Sequence, residues 1–92
     1  MIVGTLIVRL LLREARTLKD KRQVVQSIKD RLRQSFNVSV AEIENQDQPR
    51  QVTLGFAMVC NEAHPIKMAL GEIVSALKAH PVAEFVDHEM EV

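Results

Sequence analysis

The sequence predicts an α+β fold in which an antiparallel sheet of four strands carries two helices on one face. The main observation is the order of the patterns: strand-like alternation, helical spacing and alternation again, and this triplet occurs twice in 92 residues. With 47% hydrophobic and 26% charged residues, the composition is that of a globular protein and excludes intrinsic disorder. A chain this short forms one core, so we expect one domain over residues 1–92.

The first half of the chain is predicted to form a strand, a helix and a strand. Residues 2–13 are rich in Val, Ile and Leu, and their even positions form a continuous apolar face, which is typical of a strand. Thr17 is the predicted N-cap of the helix, and Asp20 completes a capping box. The helix is expected to end near residues 35–37, because Asn37 tolerates a left-handed conformation. Residues 38–45 form the second predicted strand.

The second half repeats this pattern. Residues 51–60 alternate as a third strand, which follows a polar loop containing proline at residues 46–50. A second helix is predicted over about residues 62–80, with one proline in its first turn and another beyond its end. Residues 83–90 form the fourth strand. This split β-α-β repeat predicts a ferredoxin-like βαββαβ two-layer sandwich. The helix positions expected in the core are Val24, Val25, Ile28, Leu32, Ile66, Ala69, Leu70, Ile73, Val74 and Leu77.

The charges are distributed unevenly along the chain, although 12 basic and 12 acidic residues balance overall. Nine of the basic residues lie between Arg9 and Arg33, and the last ten residues hold four acidic residues and no basic one. At about 100° per residue, four cations of the first helix share one sector beside the apolar stripe, and two more precede the helix. We call these six residues the basic ridge: Arg13, Arg16, Lys19, Arg22, Lys29 and Arg33.

The basic ridge predicts a site for phosphate groups. Its cations surround a helix N-terminus, whose free N–H groups also favour anions. The alternative is a solvated face, or one whose cations pair with the acidic fourth strand. Stacking of bases on the sheet is not expected, because the chain has no Trp or Tyr and the third strand shows only small side chains on its outer face. Any contact with RNA is then to phosphates, and no reading of DNA sequence is expected.

Catalytic and metal sites are not predicted. Cys60 and the three histidines lack paired ligand spacing, so we expect no metal and no cofactor. Cys60 is expected to be a buried apolar residue and His80 to complement the dipole of the second helix, while His64 and His88 receive no role. The fold allows an acylphosphatase-like activity, but the loop at residues 14–17 lacks the glycine that wraps phosphate in that type of enzyme. We therefore expect no enzyme.

The sheet face without helices is predicted to be apolar. The alternation places Val3, Ile7, Leu11 and Val59 on this open face, together with Ala57 and, from the edge, Phe85. Such a face favours a homodimer, and the alternative is a face that stays wet. The chain has one cysteine, no apolar run of membrane-spanning length and no sign of a secretory signal, so we expect a cytoplasmic protein.

Three segments resemble the bacterial YlxP-like family, which is a small domain of unknown function. They are residues 15–22 (ARTLKDKR), residues 36–42 (FNVSVAE) and the QD pair at 46–47. The resemblance extends over nearly the whole chain. Thr17 stands where serine is common in the family, and Pro65 is not expected there. The resemblance implies a ferredoxin-like fold and no established activity or catalytic residue.

Members of the YlxP-like family are often encoded near genes for translation initiation and ribosome maturation. This context, together with the ridge cations inside the similar segment, favours a non-enzymatic module that binds RNA or the ribosome. The alternative is a homo-oligomeric protein-interaction or small-ligand-sensing domain with no role in nucleic-acid binding.

Overall fold

The predicted architecture is confirmed by a computed structural model of the chain, which describes residues 1–92. The elements are β1 (Ile2–Leu11), α1 (Leu18–Ser35), β2 (Ser39–Glu44), β3 (Gln51–Cys60), α2 (Ala63–Lys78) and β4 (Glu84–Glu91). The sheet order is β2-β3-β1-β4, and all neighbouring strands are antiparallel. Both helices lie on one face, as a ferredoxin-like α+β sandwich requires.

The two long strands, β1 and β3, form the centre of the sheet. Their even-numbered positions point toward the helices, as the alternation predicts, and Leu6, Val8, Leu54 and Phe56 are buried there. The core also contains Ile66, Leu70, Ile73, Val74 and Leu77 of α2 and Val25, Ile28 and Leu32 of α1. Val24 and Ala69, which were expected in the core, are half-buried at its margin. Periodicity therefore identified the two faces of each long strand and most of the inward positions of each helix.

Gly4 lets α2 approach β1 closely. A Cβ atom at this position would overlap Cγ2 of Ile66, which is a fully buried side chain of α2. The space between strand and helix does not hold both carbons, so any larger residue pushes the helix away from the strand. Glycine at this even position of β1 is thus a requirement of helix–sheet packing.

Helix α1 begins as predicted and ends differently. The Thr17 hydroxyl accepts from the backbone N–H of Asp20, and the Asp20 carboxylate accepts from the backbone N–H of Thr17, which completes the capping box. The last helical residue is Ser35, and Phe36 is an extended C-cap. The prediction of a left-handed helix end at Asn37 is therefore wrong. The one non-glycine residue with positive φ is Asn45, at 61°, in the turn after β2.

Phe85, in the edge strand β4, does not lie on the open face as predicted. An irregularity in the pairing of β4 with β1, between Arg9 and Leu10, shifts the register and places Phe85 opposite Leu10. Because Leu10 points toward the helices, Phe85 does so too, and it packs against the core. Phe85 is thus on the helix-covered side, with the Lys78 ammonium 5.3 Å from its ring centroid. Neither helix is long and apolar enough to cross a membrane.

Candidate functional site

The N-terminus of α1 is occupied by a side chain of the chain itself. Oδ2 of Asp20 accepts hydrogen bonds from the backbone N–H groups of Arg16 at 3.0 Å and Thr17 at 3.1 Å. These two bonds hold the pKa of the Asp20 carboxyl below its usual value, because they favour the charged form. The helix end thus carries its own anion, and any site for phosphate groups has to lie on the side chains of the ridge.

Two members of the basic ridge are engaged within the chain. Nε of Arg13 lies 2.8 Å from Oε2 of Glu84 on β4, and Nη2 of Arg33 donates to the carbonyl oxygen of Val40 at 3.1 Å. An arginine that already pairs with a carboxylate must give up that contact before it binds a phosphate. Arg13 and Arg33 therefore lie at the ends of the ridge as cations with partners.

The other four cations of the ridge form no ion pair. Arg16, Lys19 and Arg22 are exposed, and Lys29 is half-buried. Arg16 adjoins the Asp20 carboxylate, whose charge partly balances its own. The remaining three, which we call the free cations (Lys19, Arg22 and Lys29), line one shallow, open depression of about 790 Å³ beside α1.

Acidic groups near the free cations are engaged elsewhere. Asp30 accepts a hydrogen bond from Nε2 of Gln26 at 2.8 Å, and Glu42 faces the Lys21 ammonium. Lys19 and Lys29 are ten positions apart, which corresponds to about 15 Å along the helix axis. A nucleic-acid strand carries one phosphate in about 3.4 Å of duplex axis, so this length can face several phosphates. The arrangement is suited to contacts with a polyanion.

Lys21 is buried, which the sequence analysis did not predict. It lies among the ridge cations in sequence, yet its side chain is 1% exposed. Its ammonium donates to the carbonyl oxygens of Asn45 and Gln48 in the β2–β3 loop and lies 2.6 Å from Oε2 of Glu42. The contact with Glu42 is an ion pair rather than a well-angled hydrogen bond, since that buried oxygen has no hydrogen-bond partner. Lys21 thus holds the loop against α1 and is closed to ligands.

The spacing of α1 could have identified Lys21. Positions 21, 25, 28 and 32 form one stripe, and the last three are apolar and buried. A lysine that begins such a stripe points into the core side of the helix. Its charge then requires several oxygen partners, which the loop carbonyls and Glu42 provide.

The acidic fourth strand neutralises β1 rather than the helix. Arg9 contacts Asp87 at 3.0 Å and Glu89 at 2.8 Å. The hydrogen bonds from Arg9 to Glu89 and Asp87 raise the pKa of the guanidinium above its usual value. Pairing with β4 therefore accounts for Arg9 and Arg13, and it leaves the free cations of α1 without carboxylate partners.

His80 has a different role from the predicted one. Its Nδ1 accepts from the backbone N–H groups of Val82 at 3.1 Å and Ala83 at 3.0 Å, so this nitrogen carries no proton. Burial, and then the nearby charge of Arg31, lower the pKa of His80. The prediction that His80 complements the dipole of α2 is therefore wrong. Instead, the neutral ring orders the turn into β4.

The remaining candidate ligands are scattered. Cys60 is half-buried rather than buried, and its thiol donates to Oδ1 of Asn61 at 3.4 Å. Nowhere do three His, Cys, Asp or Glu side chains come together in a group that could hold a metal ion.

Comparison with known proteins places the chain in a family. No curated protein matches it. A family model described as "Protein of unknown function (DUF503)" matches residues 3–90. This range includes both helices and all four strands, apart from the first residue of β1 and the last residue of β4. The chain therefore belongs to the DUF503 family of proteins of unknown function.

Proposed function

We propose that this chain is a non-enzymatic cytoplasmic module that binds the phosphate groups of RNA, alone or within the ribosome, through the free cations of α1. The observation that carries the proposal is that Lys19, Arg22 and Lys29 line one depression beside α1 and form no ion pair. By contrast, Arg9 and Arg13 pair with carboxylates of β4, and Arg33 and Arg50 donate to backbone carbonyl oxygens. The likeness to YlxP-like sequences, a finer assignment than the DUF503 family, supports the same role.

The geometry favours contacts with the nucleic-acid backbone over base stacking. The three phenylalanines all pack with the core, and none offers a free ring on the open sheet face. Cations on an exposed helix contact phosphates without reading bases. Binding through three such contacts falls with salt, at a slope of about −2 to −3 in log affinity against log salt concentration.

A titration against a structured RNA hairpin at low salt tests the proposal. We expect the double variant Arg22→Glu with Lys29→Glu to lower affinity by at least about tenfold, since two phosphate contacts become repulsive. The matched control is Lys67→Glu with Lys78→Glu, which changes the net charge equally on α2. No binding by the parent at low salt, or equal losses in both double variants, contradicts the proposal.

A further inference from the structure

The open face of the sheet is divided into an uncharged part and an acidic edge. The uncharged part covers β3, the first half of β1 and β2 as far as Ile43, and it ends at Glu44, which lies opposite Thr53. In this part Val3, Ile43 and Val59 are 47%, 42% and 56% exposed. The acidic edge is β4, whose residues opposite the odd positions of β1 are Glu84, Asp87, Glu89 and Glu91. An exposed apolar patch across three strands of a soluble domain is typical of a surface that another protein covers.

The uncharged part is continuous. Val3 and Val59 are register partners at one end of the central strands. Ile43 lies over Gly55, with its Cγ2 atom 3.0 Å from the position that a Cβ of this glycine would take. Ile43 therefore covers the backbone of β3 with apolar carbon, and the patch extends from β1 across β3 to the edge strand β2.

The cations of this face are already satisfied within the chain. Arg9 contacts Asp87 and Glu89, and Arg13 contacts Glu84. The face therefore offers no free positive charge to a nucleic acid or an acidic peptide, and its edge repels both. The charge pattern selects an uncharged protein surface as the occupant.

From these observations we infer that the open face binds a second copy of this chain. A two-fold axis parallel to β3 stacks β3 on β3 and β1 on β2, because β1 and β2 flank β3 in the sheet order. The two acidic strands then lie on opposite margins, four strand spacings or about 19 Å apart, which exceeds the distance over which exposed charges interact in physiological salt. An axis perpendicular to the strands stacks β4 on β4 and brings the two acidic edges about 10 Å apart.

The area is adequate for such a dimer. Strands β1 and β3 each have ten residues, which corresponds to about 33 Å, and the three strands that overlap in this arrangement span about 14 Å in width. The flat footprint is therefore about 450 Å², and the accessible surface of its side chains is larger. Stable interfaces bury about 600–1,000 Å² of accessible surface on each partner, so the face corresponds to the lower end of this range.

Sedimentation equilibrium of the purified chain at tens of micromolar tests the dimer. We expect the parent to sediment at twice the 10.4 kDa of the chain, and Val59→Lys to sediment at 10.4 kDa with an unchanged circular-dichroism spectrum. The matched control is Val82→Lys, because Val82 is similarly exposed at 52% but lies in the turn before β4. Ile7→Lys, a second variant on the same face, is expected to fold and to dissociate as well.

Two outcomes overturn the inference. One is a parent that sediments as a monomer at these concentrations. The other is dissociation by Val82→Lys to the same extent as by Val59→Lys, since a general effect of added charge then explains the result.

Cross-linking tests the direction of the two-fold axis. In a Cys60→Ala background, Ala57→Cys places a thiol near the axis, and this variant is expected to form a covalent dimer with a short bis-maleimide. The variant Glu89→Cys, with its thiol on the acidic margin, is expected to stay monomeric under the same conditions. The reverse result places β4 at the axis and contradicts the proposed arrangement.

Discussion

A cation contacts carboxylates on each side of the sheet, and the two sites differ in burial. On the helix-covered side Lys21 of α1 contacts Glu42 of β2, and on the open side Arg9 of β1 contacts β4. On the helix-covered side, Lys21 is 1% exposed and its partner Glu42 is 19% exposed. On the open side, Arg9 is 36% exposed and contacts Asp87 and Glu89, which are more exposed still. The chemistry is the same, but water reaches one pair and is excluded from the other.

The difference shows that the surroundings of a charge determine its energetic weight. Removal of one partner from a buried pair leaves an uncompensated charge and unpartnered oxygens, which costs about 3–5 kcal/mol. An exposed pair exchanges its contacts for water and contributes about 0–1 kcal/mol. Two cations twelve positions apart in the chain, Arg9 and Lys21, are thus expected to differ severalfold in their effect on folding.

The largest expected effect is that of Lys21→Met. This change keeps an unbranched side chain, one atom shorter than that of lysine, but leaves Glu42 and the carbonyl oxygens of Asn45 and Gln48 without their donor. We expect the free energy of unfolding to fall by about 3–5 kcal/mol in urea titrations. Arg9→Met is expected to lower it far less, because water replaces the lost contacts of an exposed pair.

A double variant separates the cost of the isolated charge from the worth of the pair. Lys21→Met with Glu42→Leu removes both charges, so it is expected to recover part of the stability lost in Lys21→Met. Equal stability of Lys21→Met and the parent contradicts the comparison between the two sides of the sheet.

The next effect concerns two glycines with opposite surroundings. Gly4→Ala places a methyl group against Ile66 on the helix-covered side, and we expect a loss of about 1–3 kcal/mol from the displaced helix. Gly71, inside α2, has no atom within 4 Å of an added Cβ, so Gly71→Ala is expected to raise stability by up to about 1 kcal/mol. The same denaturation measurement checks both, and a gain from Gly4→Ala contradicts the close approach of α2.

The smallest effect is a dependence of stability on pH at the margin of the helix-covered side. Folding lowers the pKa of His80 below its ordinary value of 6.5, so the unfolded chain binds the proton more readily than the folded one. The contribution of His80 is therefore complete above its unfolded pKa and is lost as the pH falls through its folded pKa. Protonation of Nδ1 also ends the hydrogen bonds from Val82 and Ala83.

His80→Asn isolates this contribution. The asparagine side-chain oxygen accepts from backbone N–H groups two or three residues on, as Nδ1 does, but it does not titrate. We expect the free energy of unfolding of the parent to decrease more between pH 7.5 and pH 5 than that of His80→Asn, in urea titrations on both sides of the ordinary histidine pKa. Identical pH dependence of the two proteins contradicts the role of His80.

Local sequence determined most of the secondary structure. Alternation in β1 and β3 identified the side of the sheet on which Leu6 and Leu54 are buried, because a strand turns each successive side chain to the opposite face. The capping box identified the start of α1, because Thr17 and Asp20 exchange hydrogen bonds within one turn. The four ridge residues within α1 could likewise be placed along the helix from helical spacing alone.

Tertiary structure decided which charges remain free. Sequence places Lys21 between Lys19 and Arg22 in one basic segment, yet the β2–β3 loop buries Lys21 and leaves its neighbours in water. The side of Phe85 depends on an irregularity in the pairing of β4 with β1, which no local pattern encodes. Periodicity acts within one element, whereas the partners of a charge and the register of an edge strand depend on residues distant in the chain, which only the folded arrangement brings together.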